Sequence, residues 1–386
     1  MGASAHPVQC VENRNRPAFN DHETNEARDM KIAILHGSND AYGASKVLCQ
    51  EVECLVSLGH EVLVVVPHAG PLATDLAPFG AAVSVVIDPS LVVLRRSKLT
   101  DLLHPLTLRH DVARADVVVL WTLALSAYIP VLRLRRRRFY VSVHELLLGR
   151  VGGLLVRTLL ASGAFPVCAC SEATAAWLHD QGVGRDRLTV TSPVFRAVEA
   201  VPDRSVHDPL TLAVVGRVNG HKGHLEVATA FQSSALSGAG WRLLLFGAPY
   251  PGQDEALQAV QALVRSDPRI EYRGEAASVA AIAKEIDAVA CFPSTPEPFG
   301  LVPIEAWRVG VRSVGFADGG AGEVLPVVGG LGVPRTDHPD HDITAALVRL
   351  AVALKARAPL PEPAQVNPLF SQDRRRTLIA QVIARS

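Results

Sequence analysis

The feature that most constrains this chain is an alternation of elements that runs twice. Short apolar runs at 31–35, 61–66, 81–87, 116–121, 139–143, 166–170 and 189–192 read as buried parallel strands. Between the first two, Ala44, Val47, Leu48, Val52, Leu55 and Leu58 recur at helical spacing, and Gly59 stands where a C′ glycine ends a helix. Strand, crossover helix and parallel strand make one βαβ unit. A stretch with three prolines, 193–209, interrupts the series. It then restarts with a strand at 210–215, a helix at 225–231, and strands at 241–246, 270–272, 288–292 and 313–316.

Two consecutive runs of this kind predict an α/β protein with two doubly wound, Rossmann-like domains facing a central cleft. The expected division is a first domain over 30–193, a linker over 194–209 and a second domain over 210–360. A Pro-rich segment and final helix over 361–386 are expected to pack back on the first domain. Ligands of such sheets bind beyond the carboxyl ends of the strands, which puts a site in the cleft.

Composition fits two full cores: 386 residues, 48% of them hydrophobic. Lys plus Arg and Asp plus Glu both number 38, so no global basic field points to nucleic acid. The six cysteines, Cys10, Cys49, Cys54, Cys168, Cys170 and Cys291, form no C-x-x-C pair. They read as buried free thiols in a reducing compartment, and a cytoplasmic location follows. Residues 1–29 are polar, lack the apolar core of a signal peptide, and read as a disordered tail. No run reaches the ~18 apolar residues of a membrane-spanning helix.

The most informative stretch is Pro293-Ser294-Thr295-Pro296-Glu297-Pro298-Phe299-Gly300-Leu301-Val302-Pro303-Ile304-Glu305-Ala306. An apolar strand feeds a Pro-rich loop, and a helix starts near Leu301 with Pro303 in its first turn. Unpaired N–H groups at Phe299, Gly300, Leu301 and Val302 would suit a phosphate, and Gly300 permits close approach to the backbone. Glu297 and Glu305 bracket the loop, eight positions apart. A carboxylate one turn inside the helix, as at Glu305, is able to accept two hydrogen bonds from a ribose.

Gly216-Arg217 follows the first strand of the second half, and Lys222-Gly223 precedes its helix. Two cations on one strand-end loop are able to straddle a diphosphate and to stabilise charge that grows on it as it leaves. His144 ends the strand at 139–143, next to Glu145, at a strand end that faces the cleft. The loop 36–45 has its glycines six apart, at Gly37 and Gly43, so it is not G-x-G-x-x-G and does not point to a dinucleotide.

Together these features resemble the family 4 retaining glycosyltransferases, whose fold is GT-B and whose signature is E-x7-E. The resemblance runs from Met30 onward. It rests on Gly43-Ala44, Gly216-Arg217, Lys222-Gly223, Glu297 with Glu305, and Gly319-Gly320 with Glu323. It implies that Glu297 contacts the donor sugar and Glu305 the ribose, while Arg217 and Lys222 hold the phosphates. Gly43 and Ala44 would lie against phosphates and acceptor, and His144 near the transferred sugar. The glycine-rich turn at 318–323 would border the nucleotide. The family often has a proline just before the preceding strand, whereas Val311-Arg312-Ser313 stands here.

The implied activity moves a sugar from a UDP- or GDP-linked donor to a glycan, lipid-linked or small-molecule acceptor. Anomeric configuration would be retained by a front-face mechanism, in which the leaving phosphate takes the acceptor proton. No cofactor or metal is expected. Asp340-His341-Asp342 looks like a D-x-D metal motif in a late polar loop, but the cations and helix N–H groups already answer the diphosphate. Two basic runs, Arg95, Arg96 and Lys98, and Arg133, Arg135, Arg136, Arg137 and Arg138, fit either solvated loop ends or peripheral contact with an anionic membrane. The rival readings are a GT-B sugar-nucleotide isomerase of the 2-epimerase class and a non-catalytic sugar-nucleotide binder. The first needs further acid/base carboxylates in the cleft. The second would be expected to lack one of the paired features, and all are present.

Overall fold

A computed structural model of the chain describes residues 29–40, 42–94, 107–147, 149–232, 240–249 and 254–386. Cys10 and the basic run Arg95, Arg96 and Lys98 lie outside the described residues, as does all but the last residue of the expected tail.

The described strands form two parallel sheets. The first contains β1 (Lys31–His36), β2 (Glu61–Val66), β3 (Val83–Ile87), β4 (Val117–Trp121), β5 (Phe139–Val143), β6 (Val167–Ala169) and β7 (Leu188–Val190), in the order β3-β2-β1-β4-β5-β6-β7. The second contains β8 (Thr211–Val215), β9 (Arg242–Phe246), β10 (Ile270–Gly274), β11 (Ala288–Cys291), β12 (Arg312–Phe316) and β13 (Leu331–Val333), in the order β10-β9-β8-β11-β12-β13. This is the GT-B architecture, two Rossmann-like α/β units. Both sheets reverse their strand order beside their first strand, between β1 and β4 and between β8 and β11. At such a switch point the loops diverge to opposite faces and leave a crevice.

The central strands are largely apolar because helices cover both faces. All five residues of β4 and of β5 are buried. Helix Gly43–Ser57 buries Val47, Leu48, Val52 and Leu55 against Ile32, Ile34 and Val64 of the sheet. Gly59 follows it at φ 86°, a left-handed conformation that suits the residue beyond a helix end. Residues 77–82, whose last two the sequence reading put in β3, form a 3-10 turn instead, with Gly80 at φ 59°.

The terminal helix Gln372–Arg385 packs Ile379, Val382 and Ile383 into the core beneath β1, β2 and β4. Arg375 goes with them. It is 2% exposed, and its Nη2 lies 2.7 Å from Oε2 of Glu51, which is fully buried. Tyr140 Oη donates to the other oxygen of Glu51 at 2.6 Å. The guanidinium also donates to the carbonyls of Thr191 and Ser192 at 2.8 and 2.9 Å, where the first sheet ends. All five described cysteines are free, and burial pushes their thiols up, so none is poised as a thiolate.

Candidate active site

The carboxyl ends of β1, β4 and β5 face those of β8, β11 and β12, and the residues singled out in the sequence meet there. Residues 292–300 leave β11 as a loop. Its backbone is gripped on several sides, which fixes a segment that has no regular structure of its own. Ser294 N donates to His221 O at 3.0 Å, Gly320 N to Glu297 O at 2.8 Å, and Thr174 Oγ1 to Pro298 O at 3.3 Å.

The contact with residues 318–320 explains why glycines stand there. A Cβ on Gly320 would sit 2.3 Å from Phe299 Cα, and one on Gly319 would sit 2.3 Å from Glu297 O. These glycines let two backbones touch. They also begin a helix, Gly319–Val327, where the sequence reading has a turn. Glu323 is on that helix, and its carboxylate accepts the N–H groups of Glu172 and Ala173 at 3.0 and 2.5 Å. It thereby supplements Ser171 at the N-terminus of helix Glu172–Asp180, on the first sheet. In this structure Glu323 ties the two halves together.

Helix Leu301–Trp307 starts at Gly300, whose φ of 90° is left-handed, and no side chain caps its start. Phe299 turns its ring away from the cleft. It is 6% exposed and packs beside Phe195 and Phe370, so the residue would offer a ligand its backbone only. Glu305 lies one turn in, half-buried, with Lys46 Nζ of the opposing helix 4.0 Å from its Oε1. Burial pushes the Glu305 carboxyl above the usual carboxylate range, against the pull of Lys46 and Arg308. Val302 sits in the first turn, and Leu301 closes on Gly43, whose added Cβ would lie 3.6 Å from Leu301 Cδ1.

The cationic loop leaves β8. Gly216 adopts φ 149° and backs onto the stem of Lys222; Gly223, at φ 80°, would drive a Cβ to 2.1 Å from Phe292 O. Glycine at these places lets the loop fold against β11. It carries Lys222 Nζ to 2.5 Å from Oε1 of Glu297, a residue 75 positions later. Arg217 Nη2 reaches across to Asp40 Oδ2 at 3.6 Å.

On the first sheet, the His144 imidazole lies 4.4 Å from the Trp121 ring, and its Nε2 is 2.9 Å from Ser142 Oγ. Burial, aided by the positive charge of Arg375 and by His36, lowers its pKa to about 3. Trp121 Nε1 in turn donates to Ala44 O at 3.0 Å, which ties the start of helix Gly43–Ser57 to β4. Glu145 is engaged by backbone donors. Its carboxylate accepts the N–H groups of Leu123 and of His144, at 3.1 and 3.0 Å. It thus spans the ends of β4 and β5, where Thr122 adopts φ 82°, a conformation β-branched residues rarely take. Burial pushes Glu145 up to about 7, with those backbone donors opposing.

Other expected features sit elsewhere. Asp340 and Asp342 are in the first turn of helix Pro339–Lys355 rather than in a loop, and Asp342 Oδ2 accepts N–H and O–H of Thr336, both at 2.8 Å. Among the described residues, no group of three or more His, Cys, Asp or Glu is arranged to hold a metal ion. In the described basic run, Arg137 donates to Ala115 O and Arg138 to Ile383 O, so these two satisfy backbone carbonyls, while Arg133, Arg135 and Arg136 are exposed. No helix of the described residues is long and apolar enough to cross a membrane.

Comparison with known proteins matches both halves of the chain. Residues 42–193 match the family described as glycosyl transferase 4-like domain, and residues 209–352 match glycosyl transferases group 1. Fold and matches together define a glycosyltransferase of GT-B architecture. The chain belongs to that class through both halves, since each sheet carries a glycosyltransferase family domain. No curated protein matches it in sequence. Similar solved structures include Anabaena HepE in complex with UDP, at 19% identity over 92% of this chain and 100% of that one, with a TM-score of 0.70. HepE in complex with UDP-glucose is 18% identical, with 92% and 99% covered and a TM-score of 0.69. Sucrose-phosphate synthase from Thermosynechococcus elongatus is 16% identical, with 92% and 98% covered and a TM-score of 0.68.

Proposed function

We propose that the chain is a retaining glycosyltransferase that takes a sugar from a UDP- or GDP-linked donor in the cleft and passes it to a glycan, lipid-linked or small-molecule acceptor. The observation that carries this reading is the meeting of Lys222 with Glu297, on loops from β8 and β11, beside the uncapped start of helix Leu301–Trp307. A cation, a helix N-terminus and two carboxylates within one crevice suit a ligand that is anionic at its diphosphate and rich in hydroxyls at both ends. The HepE complexes with UDP and UDP-glucose support a nucleotide-sugar donor.

In this reading Glu305 accepts the ribose hydroxyls and Glu297 those of the donor sugar. Arg217, Lys222 and the N–H groups of 299–302 receive the diphosphate, with Gly216 shaping the loop. Gly43 and Ala44 bring the first helix up to the phosphates. His144, held neutral, acts as a hydrogen-bonding neighbour of the sugar. As the glycosidic bond breaks, the electron pair stays on the phosphate oxygen, and the acceptor attacks the same face while the phosphate takes its proton. Catalysis is then electrostatic and positional, with no metal required. The exposed arginines at 133, 135 and 136 would bring the first domain to an anionic membrane surface, peripherally and at the cytoplasmic side. Titration of UDP and GDP into Glu305→Ala tests the donor assignment. Binding is expected to weaken while the melting temperature holds, and unchanged affinity would reject the ribose role.

A further inference from the structure

Arg217 is held from the other side of the cleft by two residues that the proposed function leaves without a role. Its Nη2 lies 3.6 Å from Asp40 Oδ2, and its Cζ lies 3.6 Å from the centroid of the Tyr42 ring. Asp40 and Tyr42 flank one position in the loop after β1, on the first sheet. That loop is braced from within: Asp40 Oδ1 accepts Tyr42 N at 3.0 Å and Ser45 Oγ at 2.9 Å, and Ser45 Oγ lies 3.0 Å from His36 Nε2. The Tyr42 hydroxyl continues across the cleft and donates to Glu275 Oε1, just beyond β10, at 3.1 Å. Two residues of the first half therefore grip two of the second, and the cation at the centre is one assigned to the donor.

We propose that Asp40 and Tyr42 form a clasp that holds Arg217 across the cleft in competition with the donor diphosphate, so that donor binding releases one tie between the two halves. The proposal rests on the donor reading of Arg217 given above. A guanidinium presents its donors in a planar fork that suits a carboxylate or a phosphate. A diphosphate brought to this fork competes with the Asp40 carboxylate for the same guanidinium. The stronger anion takes the guanidinium. Asp40 is thus a positioning residue that acts through Arg217, and Tyr42 adds a cation–π contact that strengthens its hold.

The test is calorimetric titration of UDP and of GDP into the full chain and its variants. Asp40→Asn keeps Oδ1 for Tyr42 N and Ser45 Oγ while removing the charge that faces Arg217. Competition lowers apparent affinity by the fraction of chains with Arg217 occupied, so Asp40→Asn is expected to tighten nucleotide binding by about two- to fivefold. Tyr42→Leu is expected to move it in the same direction. The double variant Asp40→Asn, Arg217→Ala is expected to match Arg217→Ala alone, because without Arg217 there is nothing to release. General damage to the loop would weaken binding, not tighten it. Unchanged or weaker binding by Asp40→Asn, alongside a clear loss in Arg217→Ala, would overturn the clasp and leave the donor site standing. No loss in Arg217→Ala, or no binding of either nucleotide by the parent chain, would overturn the donor reading and the clasp with it. Should Asp40→Asn fail to fold, Tyr42→Leu decides by the same criterion.

Discussion

Replacing Arg375 with leucine removes one half of the ion pair that fixes the terminal helix to the first sheet. Glu51 is then left fully buried, with Tyr140 Oη still donating to it and Cys54 and Cys168 nearby. Leaving a buried charge unpaired costs about 3–5 kcal/mol, far more than an exposed pair is worth. For a domain of this size that is a fall in melting temperature on the order of 10 °C. The carbonyls of Thr191 and Ser192 lose their donor as well, which adds to the loss. Adding Glu51→Gln to Arg375→Leu removes the stranded charge and is expected to recover more than half of it. Thermal and guanidinium unfolding of the parent, both single variants and the double variant close the cycle. An Arg375→Leu variant within about 1 kcal/mol of the parent would refute the reasoning.

Three further outcomes are expected. Glu145 has a pKa of about 7 in the folded chain against 4.5 in the unfolded one, so over that interval the folded chain holds the extra proton and this residue's contribution to stability falls as pH rises. The stability gained by Glu145→Gln should therefore grow by about 1–3 kcal/mol between those pH values and level off above, and parallel pH curves for the two proteins would contradict it. Transfer activity should survive EDTA, whereas loss with recovery on adding manganese would implicate Asp340 and Asp342. Vesicles of anionic lipid should bind the chain less as salt rises, and lose it on replacing Arg133, Arg135 and Arg136 with glutamine; binding insensitive to salt would remove the membrane reading.

Much of this architecture was legible in the sequence because parallel strands buried on both faces leave continuous apolar runs. Twelve of the thirteen described strands fall where the sequence predicts one, within a residue or two at most ends, and most of them as such runs. The strand Leu331–Val333 does not, since a three-residue edge strand with a central glycine has too little apolar character. The loop bearing Glu297 and the helix start at Gly300 were legible through proline and glycine, which restrict and permit backbone angles in known ways. Contacts across the cleft were not. Spacing along the chain carries no information on which residues of one half face the other, so the roles of Asp40, Tyr42 and Glu323 emerge only from the fold. Glu51 did leave a signal: it falls on the stripe of Val47, Leu48, Val52 and Leu55, where an acid must be buried and hence partnered. Arg375, its partner, lies 324 positions away.

The most direct test of the central claim is steady-state transfer kinetics with nucleotide titration on Arg217→Ala, Lys222→Ala and Glu297→Ala. The two cations are assigned to charge that grows as the sugar leaves, so removing either should lower kcat more than it raises the donor KM. The expected size is about 100- to 1,000-fold, the usual worth of one such donor in a closed site. Glu297→Ala should impair transfer while binding of the free nucleoside diphosphate persists. Near-normal transfer by both Arg217→Ala and Lys222→Ala would contradict the leaving-group cradle and return the cleft to a binding site or an isomerase.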